Sequence, residues 1–353
     1  MEHLGGAEFA PQTTYLNTAS GGLLPARSAA ALSAALADSA TRGTYADAAF
    51  EDIEAARAAY ARLAGVPVRR VAAGASVAVY AGLIASSLPP GAEVLVADGD
   101  FSSLVNPFYV RGDLKVRSVP LADLAASVRP GTALVAVSAA QSANGRIADL
   151  PALTAAARAH GARTLLDVSQ SAGWLPLDAS AVDFTVCVAY KWLLCPRGVA
   201  FLTVPDDLGA LTPVFAGWVA GEKPWDSTYG PVLELAHSAR RYDESPALFA
   251  YIAARQSLAL IEEVGVAAIA AHDVALAERF RAGVAELGYE AVPAPGSAIV
   301  SVPGLDHAAG PLAAADVLVS ARAGNLRASF HLYNTPADVD RLLDVLSGLV
   351  VRA

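Results

Sequence analysis

Short apolar runs alternate with helical patterns through the middle of the chain. The runs predict seven strands, at 70–73, 93–97, 115–119, 132–137, 162–167, 182–188 and 198–203. Helices are predicted between several of them, as over 76–87 and over 150–160, where Leu150, Leu153 and Ala157 recur at helical spacing. The strands are rich in valine, leucine and alanine without polar alternation. This is typical of the α/β class, with a mostly parallel sheet that helices cover on both faces.

The C-terminal part of the chain has a different pattern. Helices and strands are predicted there at 246–264, 266–287, 289–302, 310–317, 325–330 and 336–350, with strands in the third and fifth of these ranges. This layout favours a smaller α+β domain. We place a large domain at 31–238 and a small C-terminal domain at 239–353. The turn-rich residues 1–30 are expected to pack on the small domain and on the cleft.

The composition narrows the functional classes. Of the 353 residues, 54% are hydrophobic and 17% are charged, which excludes a disordered chain. The formal net charge of −9 and the lack of a basic run argue against a nucleic-acid partner. Residues 71–92 carry no charge, yet their glycines and prolines predict turns around a buried helix rather than a membrane span. The first residues show no secretory leader pattern, so we expect a cytoplasmic location.

Lys191 is the candidate catalytic residue. It lies in the segment CVAYKWLLCPRGVAFL (187–202), directly after an apolar strand. Lysine is rarely buried without a partner or a function. An apolar environment lowers the pKa of an amine, and the neutral amine is the form that attacks a carbonyl to make a Schiff base. The local sequence fits equally well a lysine on the surface at the end of a strand.

Asp167 ends another predicted strand, RTLLD (163–167), and Gln170 follows three residues later. Ligands of open α/β sheets bind at the carboxyl ends of the strands, so both side chains are expected to face the cleft. A buried carboxylate needs a cationic partner, and a protonated ring nitrogen is one. The alternative is an aspartate that caps the following turn.

Three further segments could line the same cleft. The turn at 74–76 leads from a strand into a helix, so its free N–H groups could bind a phosphate, although an ordinary N-cap by Ser76 is the simpler interpretation. Phe101 follows a strand and could stack on a planar ring or pack in the core. Arg327, in LRASFHLYNT (326–335), could bind a carboxylate or form a surface ion pair.

Other catalytic motifs are absent from the sequence. It contains no GxSxG elbow, no HExxH or CxxC metal spacing, and neither GxGxxG nor GxxxxGK[ST]. A metal site and a nucleotide-dependent Rossmann oxidoreductase are therefore disfavoured. The two cysteines, Cys187 and Cys195, flank Lys191 in apolar sequence, so a nucleophilic role is not expected for either.

Taken together, these segments resemble the class V group of pyridoxal-phosphate enzymes of fold type I over nearly the whole chain. The group includes cysteine desulfurases, isopenicillin epimerase-like enzymes, kynureninases and various lyases. The resemblance rests on a strand-terminal Asp with Gln three residues on, and on a later Lys followed by an aromatic residue and a Pro-Arg-Gly turn. The segments AYKW (189–192), PRGV (196–199) and ARRYDESP (239–246) look closest to the kynureninase-like branch.

The resemblance implies pyridoxal 5′-phosphate as cofactor and an amino acid or amino-acid conjugate as substrate. Lys191 would hold the cofactor as a Schiff base and then act as general base, and Asp167 would keep the pyridine nitrogen protonated. Arg327 would bind the substrate carboxylate. Weaker matches suggest Asn17 and Trp218 as further substrate-binding residues. Other cofactor-binding positions are implied at Ala75, Ser76, Phe101, Ser142, Gln170, Tyr190 and Ser245.

The resemblance leaves the reaction open. Transamination ranks first, with β-elimination such as C–S cleavage, or epimerisation, as alternatives. Desulfuration through a persulfide is disfavoured, because VLVSARAGNLRAS (317–329) contains no cysteine. Ser245 matches a position that reaches the phosphate of the neighbouring subunit in this group, which implies a homodimer. A non-catalytic regulator would need a basic DNA-binding segment, which this acidic chain lacks.

Overall fold

The computed structural model describes residues 3–43 and 46–350, the side chains of 46–49 and 350 excepted. The α-helices of this part are α1 Ala26–Arg42, α2 Ala46–Leu63, α3 Val77–Ser87, α4 Ser102–Val110, α5 Leu150–His160, α6 Leu248–Val264, α7 Val266–Glu286, α8 Ala309–Ala314 and α9 Pro336–Val350. The strands are β1 Thr14–Tyr15, β2 Val71–Gly74, β3 Glu93–Ala97, β4 Lys115–Val119, β5 Thr132–Ser138, β6 Arg163–Asp167, β7 Phe184–Val188, β8 Ala200–Thr203, β9 Ile299–Pro303, β10 Val317–Leu318, β11 Ser320–Arg322 and β12 Asn325–Ser329.

The main sheet has the strand order β2-β8-β7-β6-β5-β3-β4. Strands β7, β6, β5, β3 and β4 are parallel, and β8 is antiparallel to both of its neighbours. In β5, Leu134 and Ala136 belong to one apolar core, whereas Val135 and Val137 belong to another. Both faces of the sheet are therefore buried, which explains the unbroken apolar strands of the sequence. The predicted α/β fold with a mostly parallel seven-stranded sheet is confirmed.

The strand directions determine where the site lies. Because β8 is antiparallel to both β7 and β2, β2 runs in the same direction as β7. The last residues of β2, β6 and β7, which are Gly74, Asp167 and Val188, therefore lie at the same edge of the sheet. This edge is where open α/β sheets bind their ligands.

The C-terminal part contains a smaller antiparallel sheet with the order β11-β12-β9. Its apolar core includes Phe280 of α7, Leu342 of α9, and Phe330, which follows β12. The N-terminal segment reaches this part through β1, which pairs in parallel with β10. The packing of residues 1–30 on the small domain and the cleft, like the division into domains at 238/239, stays a prediction.

Some boundaries differ from the sequence prediction. The strand predicted at 289–302 is wrong over its first ten residues, because only Ile299–Pro303 is a strand. Pro293 and Pro295 have no N–H to donate to a neighbouring strand, which accounts for the shorter element. The helix predicted at 310–317 ends at Ala314.

The uncharged stretch 71–92 forms β2, α3 and the turns around them, as predicted. None of the helices within residues 3–43 and 46–350 combines the length and the hydropathy that crossing a bilayer takes.

Candidate active site

The edge at which β2, β6 and β7 end contains a cavity of about 190 Å³. Six of the predicted site residues line it, namely Ala75, Ser76, Phe101, Asp167, Tyr190 and Lys191. Larger clefts of about 360, 480 and 600 Å³ lie elsewhere on the surface, but none of these three has a lysine in its lining. We therefore take the smaller cavity as the candidate active site.

Lys191 is buried, with 4% of its surface exposed, so the surface-lysine alternative is wrong. Its Nζ lies 5.1 Å from the centroid of the Phe101 ring and 5.8 Å from that of Tyr190. Burial lowers the pKa of the amine to about 8, the charge of Asp167 opposes this shift, and the charge of Arg327 adds to it. The lowered pKa increases the fraction of neutral amine at neutral pH, and the neutral amine is the form that a nucleophile or general base requires.

Asp167 is the carboxylate of the cavity and is 4% exposed. Its Oδ1 accepts a hydrogen bond of 2.8 Å from the N–H of Ser169, which is the turn-capping contact given above as the alternative. Burial raises the pKa of this carboxyl, against the hydrogen bonds of Ser169 and the charge of Lys191. A cationic N–H in the cavity would give the carboxylate the partner it lacks, so Asp167 fits a protonated pyridine nitrogen.

The turn between β2 and α3 also lines the cavity. Ser76 is the N-cap of α3, and its Oγ accepts a hydrogen bond of 3.4 Å from the N–H of Val79. The N–H of Ala75 donates a hydrogen bond of 2.6 Å to Oε1 of Glu244. An anionic group thus already binds at this turn, which fits a site for a phosphate at the start of a helix.

Three polar residues of the cavity received no role in the sequence analysis. Ser103 and Ser169 bring hydroxyl groups to the lining, and Arg197 brings a guanidinium group. Cζ of Arg197 lies 4.1 Å from the centroid of the Tyr190 ring. Within the described residues, no side chain or carbonyl accepts a hydrogen bond from this guanidinium. The Pro-Arg-Gly turn was the only sequence signal for Arg197.

Ser142, Gln170 and Arg327 form a second group that is not part of the cavity lining. Nε2 of Gln170 donates a hydrogen bond of 2.9 Å to Oγ of Ser142. Nη1 of Arg327 donates to the carbonyl oxygen and to Oγ of Ser142, at 2.6 and 3.0 Å. The cofactor contacts assigned to Ser142 and Gln170 stay predictions, while Ser142 is observed to accept hydrogen bonds from Arg327 and Gln170 is observed to bond Ser142.

Arg327 is 1% exposed and therefore does not form the surface ion pair that was the alternative. Its other partners are hydroxyl groups, Oγ of Ser20 at 2.8 Å and Oγ of Ser320 at 3.2 Å. Burial, together with the charge of Arg322, lowers the pKa of this guanidinium to about 10. A buried cation with neutral partners alone lacks a counter-ion, which a substrate carboxylate would supply.

Three further predicted residues lie outside the cavity lining. Trp218 packs against Phe50 and Trp225, with ring centroids 5.6 and 5.0 Å away. Ser245 is exposed, and Asn17 has a buried Oδ1 without a hydrogen-bond partner in the described chain. The roles assigned to Trp218, Ser245 and Asn17 stay predictions.

A buried acid–base pair supports the lysine-bearing loop from the C-terminal part. Nδ1 of His331 lies 2.8 Å from Oδ2 of Asp273, and both side chains are fully buried. Nε2 of His331 lies 2.9 Å from the carbonyl oxygen of Trp192, so this nitrogen carries a proton. Nε1 of Trp192 in turn donates to Oε1 of Gln170 at 2.9 Å. No sequence spacing signals this pair, because its members meet only in the folded chain.

Cys187 and Cys195 are the only cysteines of the sequence, and both are buried. Burial raises the pKa of both thiols, so neither offers an exposed thiolate. Among the residues described by the structure, no group of His, Cys, Asp and Glu side chains is arranged to hold a metal ion.

Comparison with known proteins identifies the family. The family model for aminotransferase class-V matches residues 15–342. YcbU, an uncharacterized aminotransferase of Bacillus subtilis (strain 168), is 27% identical over 328 residues, which cover 88% of this chain and 87% of the relative. The isopenicillin N epimerase of Streptomyces clavuligerus is 29% identical over 390 residues, which cover 96% of this chain and 95% of the relative.

A solved structure shows the same fold. The cystine C–S lyase C-DES, in complex with its product cysteine persulfide, superposes with a TM-score of 0.86 at 24% identity, over 95% of this chain and 97% of that one. The resemblance inferred from the sequence motifs is confirmed by the family model, and so is fold type I by the superposition. The chain therefore belongs to the class V aminotransferase family and is a pyridoxal 5′-phosphate-dependent enzyme that acts on amino acids.

Proposed function

We propose that the protein is an aminotransferase that passes the amino group of an amino acid to a 2-oxo acid, with Lys191 as the catalytic base. The observation that carries this proposal is the buried amine of Lys191, with a pKa of about 8, in one cavity with the carboxylate of Asp167. Bound pyridoxal phosphate withdraws electrons from the α-carbon of an amino acid attached to it.

The residues of the site have separate roles in the proposed reaction. Asp167 would bind the ring N–H and keep it protonated, because Lys191 is the only cation in the described chain whose charge lowers the pKa of this buried carboxyl. Lys191 removes the α-proton and returns a proton to the product. Phe101 lies over Nζ of Lys191 and limits the access of water to the reacting atoms. Arg327 binds the α-carboxylate and so determines which bond of the substrate faces Lys191.

We also propose that the active form is a homodimer. Five large apolar side chains between residues 214 and 233 are exposed, namely Val214, Phe215, Trp225, Tyr229 and Leu233, the last two by 92% each. Large apolar side chains that are exposed along one segment of the chain are consistent with an interface. A second copy would cover them and would bring the exposed Ser245 towards its neighbour's phosphate. The molecular mass in solution, measured together with cofactor occupancy, tests this, and a fully active monomer would contradict it.

Epimerisation is the second candidate. It is favoured by the isopenicillin N epimerase that matches 96% of this chain, and the same lysine would serve it as base. Elimination with C–S cleavage uses the same base and remains an outcome of the test. A persulfide route on the protein itself has no support, because both thiols are buried.

The test uses the purified holoenzyme, a panel of L-amino acids and a 2-oxo acid acceptor in deuterated water. Transamination predicts equal amounts of a new oxo acid and a new amino acid. Ammonia with pyruvate would indicate elimination instead, and α-deuterated amino acid of inverted configuration without oxo acid would indicate epimerisation. The variant Lys191→Ala is expected to abolish turnover, and Lys115→Ala, at an exposed position of β4, is the matched control. Borohydride reduction of the wild type should label the peptide that contains Lys191.

A further inference from the structure

We propose that Arg197 and Glu244 set the affinity of this protein for the phosphate group of its cofactor, Arg197 by binding the phosphate and Glu244 by competing with it. The inference rests on the proposed cofactor site. Arg197, in the loop after Lys191, lines the cavity itself, whereas Glu244, in the segment before α6, contacts the cavity residue Ala75.

Glu244 occupies a hydrogen-bond donor that a phosphate would need. Its Oε1 accepts the N–H of Ala75 at 2.6 Å, in the turn that begins α3. Within the described chain, no cation lies within ion-pair distance of this carboxylate. One N–H cannot serve two anions fully, and a carboxylate beside a phosphate dianion repels it. Phosphate binding therefore requires Glu244 to leave Ala75.

The neighbouring carboxylate shows why Glu244 is free to move. Oδ2 of Asp243 pairs with Nη2 of Arg57 at 2.7 Å, and its Oδ1 accepts the N–H of Ala73 at 2.8 Å. These buried contacts fix the backbone at Asp243 against β2. Glu244 has only its single bond to Ala75 and is partly exposed. Its side chain can therefore rotate into solvent at the cost of one hydrogen bond, while the buried pair beside it stays intact.

Arg197 has the opposite charge and an unused set of donors. Its guanidinium lies 4.1 Å from the ring centroid of Tyr190, which restricts its orientation. It lines the cavity together with Ala75 and Ser76, and it makes no hydrogen bond to the described residues. A planar guanidinium with free N–H groups matches two oxygens of a phosphate. Arg197 is thus the cation that offsets the charge of the phosphate at this turn.

The two residues are expected to act on the phosphate and not on the ring. Pyridoxal has the same ring and aldehyde as pyridoxal phosphate but lacks the phosphate group. The ratio of the dissociation constants of the two compounds therefore isolates the phosphate contribution. Arg197→Gln should weaken pyridoxal phosphate binding by about tenfold or more, the effect of removing a charge-assisted hydrogen bond. Glu244→Gln should strengthen it by about fivefold, the size expected for removal of a partly exposed like charge. Neither variant should change pyridoxal binding.

The experiment titrates cofactor-free protein with each compound and follows the visible absorption of the bound aldehyde. A parallel titration with inorganic phosphate follows the melting temperature, so that the test has a readout that is independent of activity. The controls are Arg158→Gln on α5 and Glu290→Gln, both at exposed positions away from the cavity.

The outcomes separate this inference from the proposed function. If the wild type binds neither aldehyde at Lys191, the proposed cofactor site is wrong. If it binds both, but the two variants leave the affinity ratio within twofold of the wild type, only the phosphate inference is wrong. The same conclusion follows if Arg197→Gln raises KM for acidic amino acids alone, because Arg197 would then bind the substrate. Opposite shifts of the ratio in the two variants support the proposal.

Discussion

Two buried arginines, Arg57 and Arg327, differ in the partners they have. Arg57, on α2, is 3% exposed and pairs with Asp243 at 2.7 Å and with Glu54 at 3.0 Å. Arg327, on β12, is 1% exposed, yet it bonds only to hydroxyl and carbonyl oxygens. Burial alone would lower the pKa of both groups. The carboxylate of Asp243 reverses this and raises the pKa of Arg57, whereas the pKa of Arg327 falls to about 10.

The difference separates a structural charge from a binding charge. Removing one partner of a buried ion pair leaves the other charge without compensation. We therefore expect Arg57 to stabilise the fold. The charge of Arg327 is already uncompensated, so the fold gains little from it. An incoming carboxylate would complete its environment, which is the property expected of a substrate-binding group.

Arg57→Leu should have the largest effect on stability. It leaves Asp243 buried without its cation, so the free energy of unfolding should fall by about 3–5 kcal/mol. Urea unfolding followed by circular dichroism measures the change. The double variant Arg57→Leu/Asp243→Leu should recover most of this stability. A single variant as stable as the wild type would mean that Arg57 is not a structural charge, and the distinction between the two arginines would fail.

Arg327→Gln should affect catalysis rather than folding. The value of kcat/KM for amino acids should fall by about a hundredfold, close to 3 kcal/mol, which is typical when one member of a buried charge pair is removed. The urea midpoint should stay unchanged or rise. The matched control is Arg255→Gln, at a surface pair with Asp52 of α2. A destabilisation as large as that of Arg57→Leu, without a kinetic effect, would contradict the assignment.

The pH dependence of Lys191 sharpens the comparison, because Arg327 lowers the pKa of this amine. In cofactor-free protein, the rate of aldehyde capture should rise as the amine loses its proton, with a midpoint near pH 8. An ordinary lysine would give a midpoint near 10.5. In Arg327→Gln the midpoint should move upwards by less than about one unit. Since the folded chain binds this proton less tightly than the unfolded chain, stability should also increase between about pH 8 and 10.5.

Ser320→Ala should have the smallest effect. It removes the oxygen that accepts the 3.2 Å hydrogen bond from Nε of Arg327 and leaves the contacts of Ser20 and Ser142 in place. KM should rise by no more than about fivefold, in line with about 1 kcal/mol for one hydrogen bond. A larger rise in KM would show that the position of Arg327 depends on this single hydrogen bond.

The main sheet could be predicted from the sequence because its strands are buried on both faces and flanked by turns. The same local signals placed Lys191 and Asp167 at the ends of strands. The strand predicted near 289–302 was too long because apolar content outweighed Pro293 and Pro295, although these prolines lack the N–H that a strand needs.

The sequence by itself determined the α/β class, the order of the strands along the chain and the residue types available for amine and carboxylate chemistry, because these depend on short-range patterns. Only the tertiary structure decided which charges are compensated. Arg327 and Ser142, which form a hydrogen bond, are 185 residues apart in the sequence, and Asp243 and Arg57 are 186 residues apart. Whether a buried cation has a carboxylate partner depends on such distant contacts, and this decides whether it stabilises the fold or is available to bind a ligand.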